Sequence, residues 1–306
     1  METAKQDKKV SSMNSISPAA NLLIILFFMI YACICLLPVL IVLAVSFTEQ
    51  RTVTLEGYSL FPSKFSLDAY QYLWRNATQI LRAYGVTVVV TIVGSLAGLF
   101  MTALYAYPIS RSSFSFRHFF SFFIFFTMLF NGGLVPWYLV YTNLFDLRES
   151  ILALIIPGLL MNAFFVIVMR TFFTTTIHPS IIESASIDGV SELGIFFRIV
   201  LPLSLPVLGT IGLFYTLGYW NDWFNSLVFV SREPVSLQYL MYKVMRSLQF
   251  LTSVNGSSLV KGDISKLPNE TARMAMAILG MGPIVLAYPF FQKYFVKGLT
   301  IGAVKG

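Results

Sequence analysis

The amino-acid sequence predicts an all-α membrane protein with six transmembrane helices and both termini in the cytoplasm. Hydrophobic residues make up 57% of the 306 positions and charged residues only 11%, which is too apolar for a soluble domain of this length. The apolar residues form long runs separated by polar segments, and each run is long enough to cross a bilayer. Because a spanning backbone must satisfy its hydrogen bonds internally, these runs indicate helices.

The amino-terminal region is predicted to be a cytoplasmic tail followed by the first span. Residues 1–19 hold three lysines among polar residues, whereas residues 21–47 carry no charge. This run is too long for the apolar core of a cleaved signal peptide, so we expect a retained anchor with a kink at Pro38. A polar outer segment follows, in which residues 66–74 are expected to form a short interfacial helix.

The second span, residues 81–107, contains Gly94 and Gly98 four residues apart. Glycines at this spacing lie on one face of a helix and permit close approach of a neighbouring helix. The same pair is also compatible with local flexibility. An inner loop with Arg111 and Arg117 follows.

The third span, residues 116–144, is interrupted by Asn131, two glycines and Pro136. Glycine and proline weaken a helix from within, and the freed backbone groups must then face protein or a water-filled cavity. Two interpretations of this interruption are possible from the sequence, a break that lines a polar pathway and an ordinary kink. The fourth span, residues 151–174, returns the chain to the inner side.

The fifth and sixth spans, residues 199–230 and 272–291, enclose the longest polar segment, residues 232–271, which parity places outside. The transmembrane domain is therefore residues 20–297, and residues 298–306 form a cytoplasmic tail. Segments assigned to the inside carry ten Lys and Arg against five Asp and Glu, and outer segments carry eleven against nine. The larger positive surplus inside agrees with the predicted orientation.

The most polar part of the central region is residues 176–198, between the fourth and fifth spans. Carboxylates are costly inside a bilayer, so this segment is expected to be a cytoplasmic loop. Pro179 suits the first turn of a short helix, and Gly189 can end that helix with a positive φ. The chain is then expected to turn sharply and re-enter the membrane at residues 201–203.

This loop resembles the cytoplasmic EAA loop of the permease subunits of ATP-binding-cassette (ABC) importers. The family pattern is E-A-A, three residues, G, nine residues and I-x-L-P, and the one departure is Ser184, which is nearly isosteric with the alanine it replaces. The resemblance implies a type I ABC importer permease fold, in which the loop helix sits in a cleft of an ATPase and Glu183 pairs with a basic residue there. Asp188 before the glycine resembles the carbohydrate-importer branch. The resemblance assigns ATPase coupling to Glu183, Ser184, Ala185, Asp188, Gly189, Ile199, Leu201 and Pro202.

The carboxyl-terminal sequence, residues 292–306, resembles the end of the second permease of maltose-type sugar importers. Its run G-L-T-x-G-x-V-K-G reaches between the ATPase subunits in that family, although the residues alone also fit a frayed basic terminus. The resemblance implies a homologous second permease, two ATPases that hold ATP and Mg²⁺, and an extracytoplasmic sugar-binding protein that docks on the outer loops, in a bacterial cell membrane. No cofactor is expected in this chain, which has no G-x-x-x-x-G-K-[ST] phosphate loop. The tail residues expected to contact the ATPases are Gly298, Leu299, Thr300, Gly302 and Lys305.

Candidate sugar contacts lie on and near the spans that flank the loop. Saccharides present CH faces and many hydroxyls, so aromatic rings and amide or hydroxyl groups suit them. The aromatic cluster with Trp220 and Trp223 has a second interpretation, an interfacial belt, which we favour for these two residues. In the maltose case most sugar contacts come from the other permease. The candidate pathway residues are Asn131, Asn162, Phe165, Tyr215, Tyr219 and Asn221.

Other classes of function have less support. The net charge of +7 is not arranged in the basic blocks that would suit nucleic acid, and Cys33 and Cys35 point to different faces of a helix, so neither a disulfide nor a metal site is expected. A membrane-bound enzyme would need a catalytic cluster, whereas His118 and His178 have no partners in the sequence pattern. An ion-coupled secondary transporter would need an intramembrane relay and an internal repeat. An ABC permease for a non-sugar solute remains an alternative.

Overall fold

Helices make up most of the part of the chain that the computed structural model describes. Its regular structure consists of helices and one isolated antiparallel bridge between Thr48 and Phe65. The chain divides into two compact units, residues 1–73 with 261–278 and residues 74–260 with 279–306. An all-helical structure agrees with the predicted fold class. The described residues are 17–75, 77–158, 160–232, 234–252 and 269–303.

In the first unit, the chain after the first helix folds back onto the end of that helix. The ring of Phe47 stacks on Phe65 and on Tyr70, and the hydroxyls of Tyr70 and Ser46 form a hydrogen bond of 2.9 Å. The short helix expected over residues 66–74 is confirmed, with bounds shifted by one or two residues. The helices within residues 17–75 are α1 (Pro18–Ser46), α2 (Gln50–Glu56) and α3 (Asp68–Arg75).

In the second unit, the long helix α4 is the central element, and α12 and α8 pack along it. Two turns of π-helix, Val140–Leu144 and Phe196–Val200, follow α6 and α10 directly. The last helix, α15, contains residues of both units. The bounds are α4 (Ala77–Ser110), α5 (Arg117–Leu129), α6 (Leu134–Leu139), α7 (Leu152–Ile155), α8 (Ala163–Thr176), α9 (Pro179–Ile187), α10 (Glu192–Ile195), α11 (Leu201–Leu203), α12 (Leu205–Trp220), α13 (Phe224–Phe229), α14 (Leu237–Thr252) and α15 (Asn269–Ala303).

Two of the described helices, α1 and α4, are long and apolar enough to cross a membrane. Three further helix pairs meet the same criteria together but are sharply bent: α5 with α6 by 117°, α8 with α9 by 77°, and α10 and α11 with α12 by 82°. If each bent pair is one span, the described residues hold up to five spans. Several apolar runs are therefore not continuous helices.

The interruption predicted in the third span is confirmed. Helix α5 ends at Leu129, α6 begins at Leu134, and Gly133 between them has φ +85°. The Asn131 side chain stabilises this turn by accepting a hydrogen bond of 2.8 Å from the Gly133 amide. Pro136 lies in the first turn of α6, where its missing N–H removes no helical hydrogen bond.

The fourth and fifth predicted spans are wrong as continuous helices. The fourth is broken between α7 and α8, where Gly158 has φ +76° directly after a proline. The fifth does not begin at residue 199, because the bend lies at Ser204, beyond the expected re-entry at residues 201–203. It also stops at Trp220, before the separate short helix α13.

The segment predicted as a long outer loop, residues 232–271, contains helix α14 in its first half, and its outer location stays a prediction. Leu237, Leu240 and Leu248 are buried, and their spacing places them along one face of that helix. The polar residues on the other face had suggested a loop. The remainder of the segment, residues 253–268, lies outside the described residues.

Candidate functional site

The loop helix α9 is a separate short helix that turns away from α8 by 77°. His178 precedes it as N-cap, its imidazole Nδ1 accepting from the Ser180 amide at 3.4 Å, and Pro179 occupies the first helical position as predicted. Ile182 and Ala185 are buried in the core of the second unit. One side of α9 is therefore anchored, and the other is free to meet a partner.

The free side of α9 carries a carboxylate next to an exposed apolar side chain. Glu183 and Ser184 are exposed, and Glu183 forms no hydrogen bond or ion pair with any residue that the structure describes. Ile187 follows Glu183 by one turn and is 86% exposed. An unpaired carboxylate beside an apolar side chain is a suitable surface for a protein partner.

Helix α9 ends in a Schellman turn at Gly189. This glycine has φ +77°, as predicted, and its amide donates to the Ser186 carbonyl at 3.1 Å. The Val190 amide donates to the Ala185 carbonyl at 3.0 Å, which completes the paired hydrogen bonds of this motif. Asp188 is the exposed C-cap. The turn therefore fixes the direction in which the chain leaves α9.

The chain returns to the helical core through α10, a π turn and α11. Ser191 caps α10 by accepting a hydrogen bond from the Gly194 amide at 3.2 Å. Phe196 and Val200 in the π turn are buried, whereas Ile199 and Leu201 are half-buried and Pro202 is exposed. An 82° bend at Ser204 then leads into α12. The residues assigned to coupling thus lie between two sharp bends.

Two tyrosines of α12 pack against the predicted glycine pair of α4. A β-carbon at Gly94 would lie 2.4 Å from the ring of Tyr219, and one at Gly98 would lie 2.8 Å from the ring of Tyr215. Both distances are shorter than carbon contacts allow, so only glycine permits this approach. The interpretation of the pair as a site of close helix packing is confirmed.

The same tyrosines satisfy backbone groups freed by the break in the fourth span. Tyr219 donates to the Ile155 carbonyl at 2.9 Å, and the Asn162 amide donates to the Tyr215 hydroxyl at 3.2 Å. Asn225 adds a hydrogen bond from its side-chain amide to the Pro157 carbonyl at 3.1 Å. Because the carbonyls of the buried residues Ile155 and Pro157 would otherwise be unpaired inside the protein, the break is a built-in element of the fold.

Asn225 was not predicted from the sequence, although a signal for the break was present. Pro157 and Gly158 form a dipeptide that is typical of turns, but it lies inside an apolar run. The need for a side-chain donor opposite the break follows from that dipeptide. Which residue provides the donor depends on how α13 packs, and the sequence does not show this.

The structure separates the pathway candidates into buried and exposed groups. Tyr215 and Tyr219 are 3% and 1% exposed, so neither ring presents a face to a solute in this conformation. Phe165 is half-buried, with its ring 5.0 Å from that of Tyr215. Asn131, Asn162 and Asn221 are exposed, and they remain the polar candidates that a solute can reach.

Trp220 does not belong to an interfacial belt. It is 4% exposed, and its indole N–H donates to the Gly280 carbonyl of α15 at 2.9 Å. Trp223 is 41% exposed, so for this residue the belt remains a prediction. A tryptophan with its N–H satisfied inside the protein is a packing residue.

A carboxylate fixes the segment between the third and fourth predicted spans. Glu149 accepts hydrogen bonds from the backbone amides of Ser231 at 2.9 Å and Arg232 at 3.3 Å. The hydrogen bond from the Ser231 amide holds the pKa of the Glu149 carboxyl below its ordinary value. This contact ties the segment to the end of α13.

The structure describes no metal centre. Among the described residues there is no group of three or more His, Cys, Asp or Glu that could hold an ion. Cys33 and Cys35 are free and exposed on α1. His178 caps α9, and His118 is exposed and accepts a hydrogen bond from Arg117 at 3.3 Å.

Comparisons with known proteins agree with this geometry. Residues 91–301 match the family described as the binding-protein-dependent transport system inner membrane component. The chain is 39% identical over 287 residues to the polygalacturonan/rhamnogalacturonan transport system permease protein YtcP of Bacillus subtilis, covering 94% of this chain and 98% of that protein. It is 25% identical to the trehalose/maltose transport system permease protein MalG of Thermococcus litoralis, over 94% of this chain and 97% of that protein.

A solved structure has the same fold. One chain of a bacterial ABC transporter involved in the import of the acidic polysaccharide alginate superposes with a TM-score of 0.74 and 27% identity, covering 92% of this chain and 99% of that chain. The matched family region includes the whole EAA loop and its flanking helices. The chain therefore belongs to the family of inner membrane components of binding-protein-dependent transport systems, and it is a permease subunit of an ABC importer rather than an enzyme.

Proposed function

We propose that the chain is one of two homologous permeases of an importer that moves an oligosaccharide across the cell membrane by alternating access. Relatives named for polysaccharide transport, one at 39% identity and one solved structure at 27%, support this solute class. The other components are a second permease, two cytoplasmic ATPases that bind ATP and Mg²⁺, and an extracytoplasmic sugar-binding protein. The chain itself contributes no cofactor site.

The proposed topology has six spans and places both termini in the cytoplasm. Helices α1 and α4 and the three bent pairs support it, together with the positive surplus on the assigned inner segments. The last helix, α15, has 35 residues and is therefore about 50 Å long, whereas the hydrocarbon core of a bilayer is about 30 Å thick. Its final turns would extend beyond the membrane on the cytoplasmic side.

These final turns are proposed to reach the ATPase subunits. Helical backbone continues through Ala303, which includes Gly298, Leu299, Thr300 and Gly302. Lys305 lies outside the described residues. A helical extension, rather than the flexible tail expected from its glycines, would position this segment between the two ATPases.

The observation that carries the proposal is Glu183, which pairs with no described residue and lies on a helix held between two sharp bends. An ATPase cleft that bound Glu183 and Ile187 would move α9 as one body. Helices α8 and α12 on either side of the loop are both attached to α4 through Tyr215. A displacement of α9 would therefore reach the membrane helices as a rigid-body rotation.

The solute pathway is proposed to pass the two helix breaks. Asn131 lies at the first break and Asn162 at the second, and both are exposed. Phe165 and Asn221 complete the set that a saccharide could contact in this conformation. Tyr215 and Tyr219 would contact a solute only if α4 and α12 separated.

Replacing Glu183 with glutamine tests the coupling step. The Glu183 side chain forms no hydrogen bond or ion pair with a described residue, so the assembled importer should form and keep its thermal stability while sugar uptake falls. Asp68→Asn is the matched control, because it also removes one exposed carboxylate but belongs to α3 and not to the loop of residues 176–198. Uptake and ATPase activity are measured in proteoliposomes with the complete importer. Normal uptake in both Glu183→Gln and Glu183→Lys would contradict the proposal.

A further inference from the structure

Two adjoining cavities lie beside the end of α4. The first has a volume of about 510 Å³, within the range of roughly 300–1,000 Å³ that is usual for ligand sites, and its apolar lining includes Leu193 and Phe196. The second has a volume of about 310 Å³ and extends to Met101 and Met161. Leu104, Pro108 and Phe114 line both cavities. Together they form an apolar surface with two branches.

The first cavity also has a charged end. Arg111 follows the last residue of α4, and its Nε is buried without a hydrogen-bond partner in the described part of the chain. Its guanidinium lies 5.9 Å from the centre of the Tyr107 ring. Glu192 lies at the same end and accepts a hydrogen bond of 2.7 Å from the Tyr107 hydroxyl.

The cation and the anion at this end form no salt bridge with each other. Neither Arg111 nor Glu192 has an oppositely charged group of a described residue within 4.0 Å of its own charged atoms. The Tyr107 hydroxyl occupies one oxygen of the carboxylate, and the other oxygen has no partner in the described residues. The cavity lining therefore includes one positive and one negative group together with apolar walls.

We infer that this site binds a phospholipid with a phosphoethanolamine headgroup from the inner leaflet. The guanidinium of Arg111 binds the phosphate through parallel N–H groups, and the carboxylate of Glu192 accepts from the primary ammonium. The two cavities hold the acyl chains, and the charged end faces the headgroup region. The location rests on the proposed topology, which puts the end of α4 at the cytoplasmic surface.

The headgroup follows from charge complementarity. Phosphatidylglycerol has the phosphate but no cation for Glu192. Phosphatidylcholine has a cation, but its quaternary nitrogen carries no N–H to donate. Phosphatidylethanolamine alone among these three satisfies both charges with hydrogen bonds.

The site also adjoins the coupling loop. Glu192, Leu193 and Phe196 belong to the segment between the Schellman turn at Gly189 and the bend at Ser204. A lipid bound here contacts both α4 and this segment. It would therefore stabilise one position of the loop relative to α4.

The test is lipid retention by the complete importer, purified through a tag on this chain and analysed by native mass spectrometry after exchange into each of the three lipids. We expect phosphatidylethanolamine to be retained best. Arg111→Gln should lower its retention about tenfold, because a charge-assisted hydrogen bond is lost. Glu192→Gln should reduce the preference over phosphatidylcholine while leaving phosphatidylglycerol unchanged. Arg117→Gln is the control, since Arg117 lies nearby on α5 and lines neither cavity.

Equal retention of the three lipids, or equal losses in Arg111→Gln and Arg117→Gln, would overturn the inference. The absence of lipid from the wild-type importer would overturn it too, and would indicate that a partner subunit covers the cavity. Sugar uptake is measured on the same preparations. A failure of lipid binding with normal uptake contradicts the lipid site alone, whereas a complete importer that moves no sugar contradicts the proposed function.

Discussion

Gly94→Ala is the sharpest test of the packing between α4 and α12. The added β-carbon would lie 2.4, 2.6 and 2.7 Å from three ring carbons of Tyr219. Carbon atoms in contact are normally about 3.5–4.0 Å apart, so the ring must move by about 1 Å. The ring carries the hydroxyl that donates to the Ile155 carbonyl at 2.9 Å, and a shift of this size breaks that hydrogen bond.

The magnitude combines three effects. Overpacking costs about 1–3 kcal/mol, and the unsatisfied carbonyl of the broken fourth span costs about another 1–3 kcal/mol. Alanine gains about 1 kcal/mol over glycine as a helix former. The expected net loss is therefore about 1–5 kcal/mol in the free energy of unfolding.

The assay is thermal unfolding of the purified importer in detergent, with Gly85→Ala as the matched control. Gly85 lies on the same helix, and no atom lies within 4 Å of the position of an added β-carbon. We expect Gly85→Ala to be neutral or slightly stabilising. Tyr219→Phe keeps the ring but removes the hydroxyl, so its effect and that of Gly94→Ala should not add. Equal stability of Gly94→Ala and Gly85→Ala would refute the reasoning.

Three further predictions concern the turn at Gly189, the hydroxyl of Tyr215 and the carboxylate of Glu149. Gly189→Ala puts a side chain at φ +77° in open space, so we expect the backbone alone to cost about 1–2 kcal/mol in the free energy of unfolding. The ratio of sugar moved to ATP hydrolysed should also fall, and an unchanged ratio would count against a role of the turn in coupling. Tyr215→Phe leaves the Asn162 amide unpaired and should lower the unfolding temperature, whereas Tyr288→Phe, at an exposed tyrosine, should not. Because the pKa of Glu149 is lowered in the folded protein, its hydrogen bonds stabilise the fold fully at a pH above the ordinary carboxyl pKa of about 4.3. This stabilisation is lost as the pH falls through the lowered pKa. The protection factor of the Ser231 amide in hydrogen exchange, taken relative to the intrinsic rate at each pH, should therefore fall in acid, and Glu149→Gln should abolish that dependence.

The features that the sequence predicted best are those with a local physical cause. Gly189 must adopt a positive φ because the chain has to turn there, and the structure has that turn. The pair Gly94 and Gly98 marks a close approach because no other residue lacks a β-carbon. In each case glycine is required at its own position, either for a positive φ or because there is no room for a β-carbon.

The features that the sequence did not predict depend on a distant part of the chain. Trp220 is buried because α15 lies opposite it, and its sequence neighbours give no sign of this. The break after Ile155 is stable because tyrosines some sixty residues later supply hydrogen bonds. Helix α14 was missed because its polar face dominates the composition of the segment.

The π turn Phe196–Val200 has a consequence for insertions and deletions. A π turn contains one residue more than an α-helical turn in the same length, so the segment between Glu192 and Leu203 carries a surplus residue. Deleting one residue within this turn would restore regular α-helix and leave the orientation of Pro202 relative to α10 unchanged, whereas deleting a second residue would rotate Pro202 by about 100°. Related chains should therefore tolerate the loss of this one residue better than any further change in the number of residues between Gly189 and Pro202.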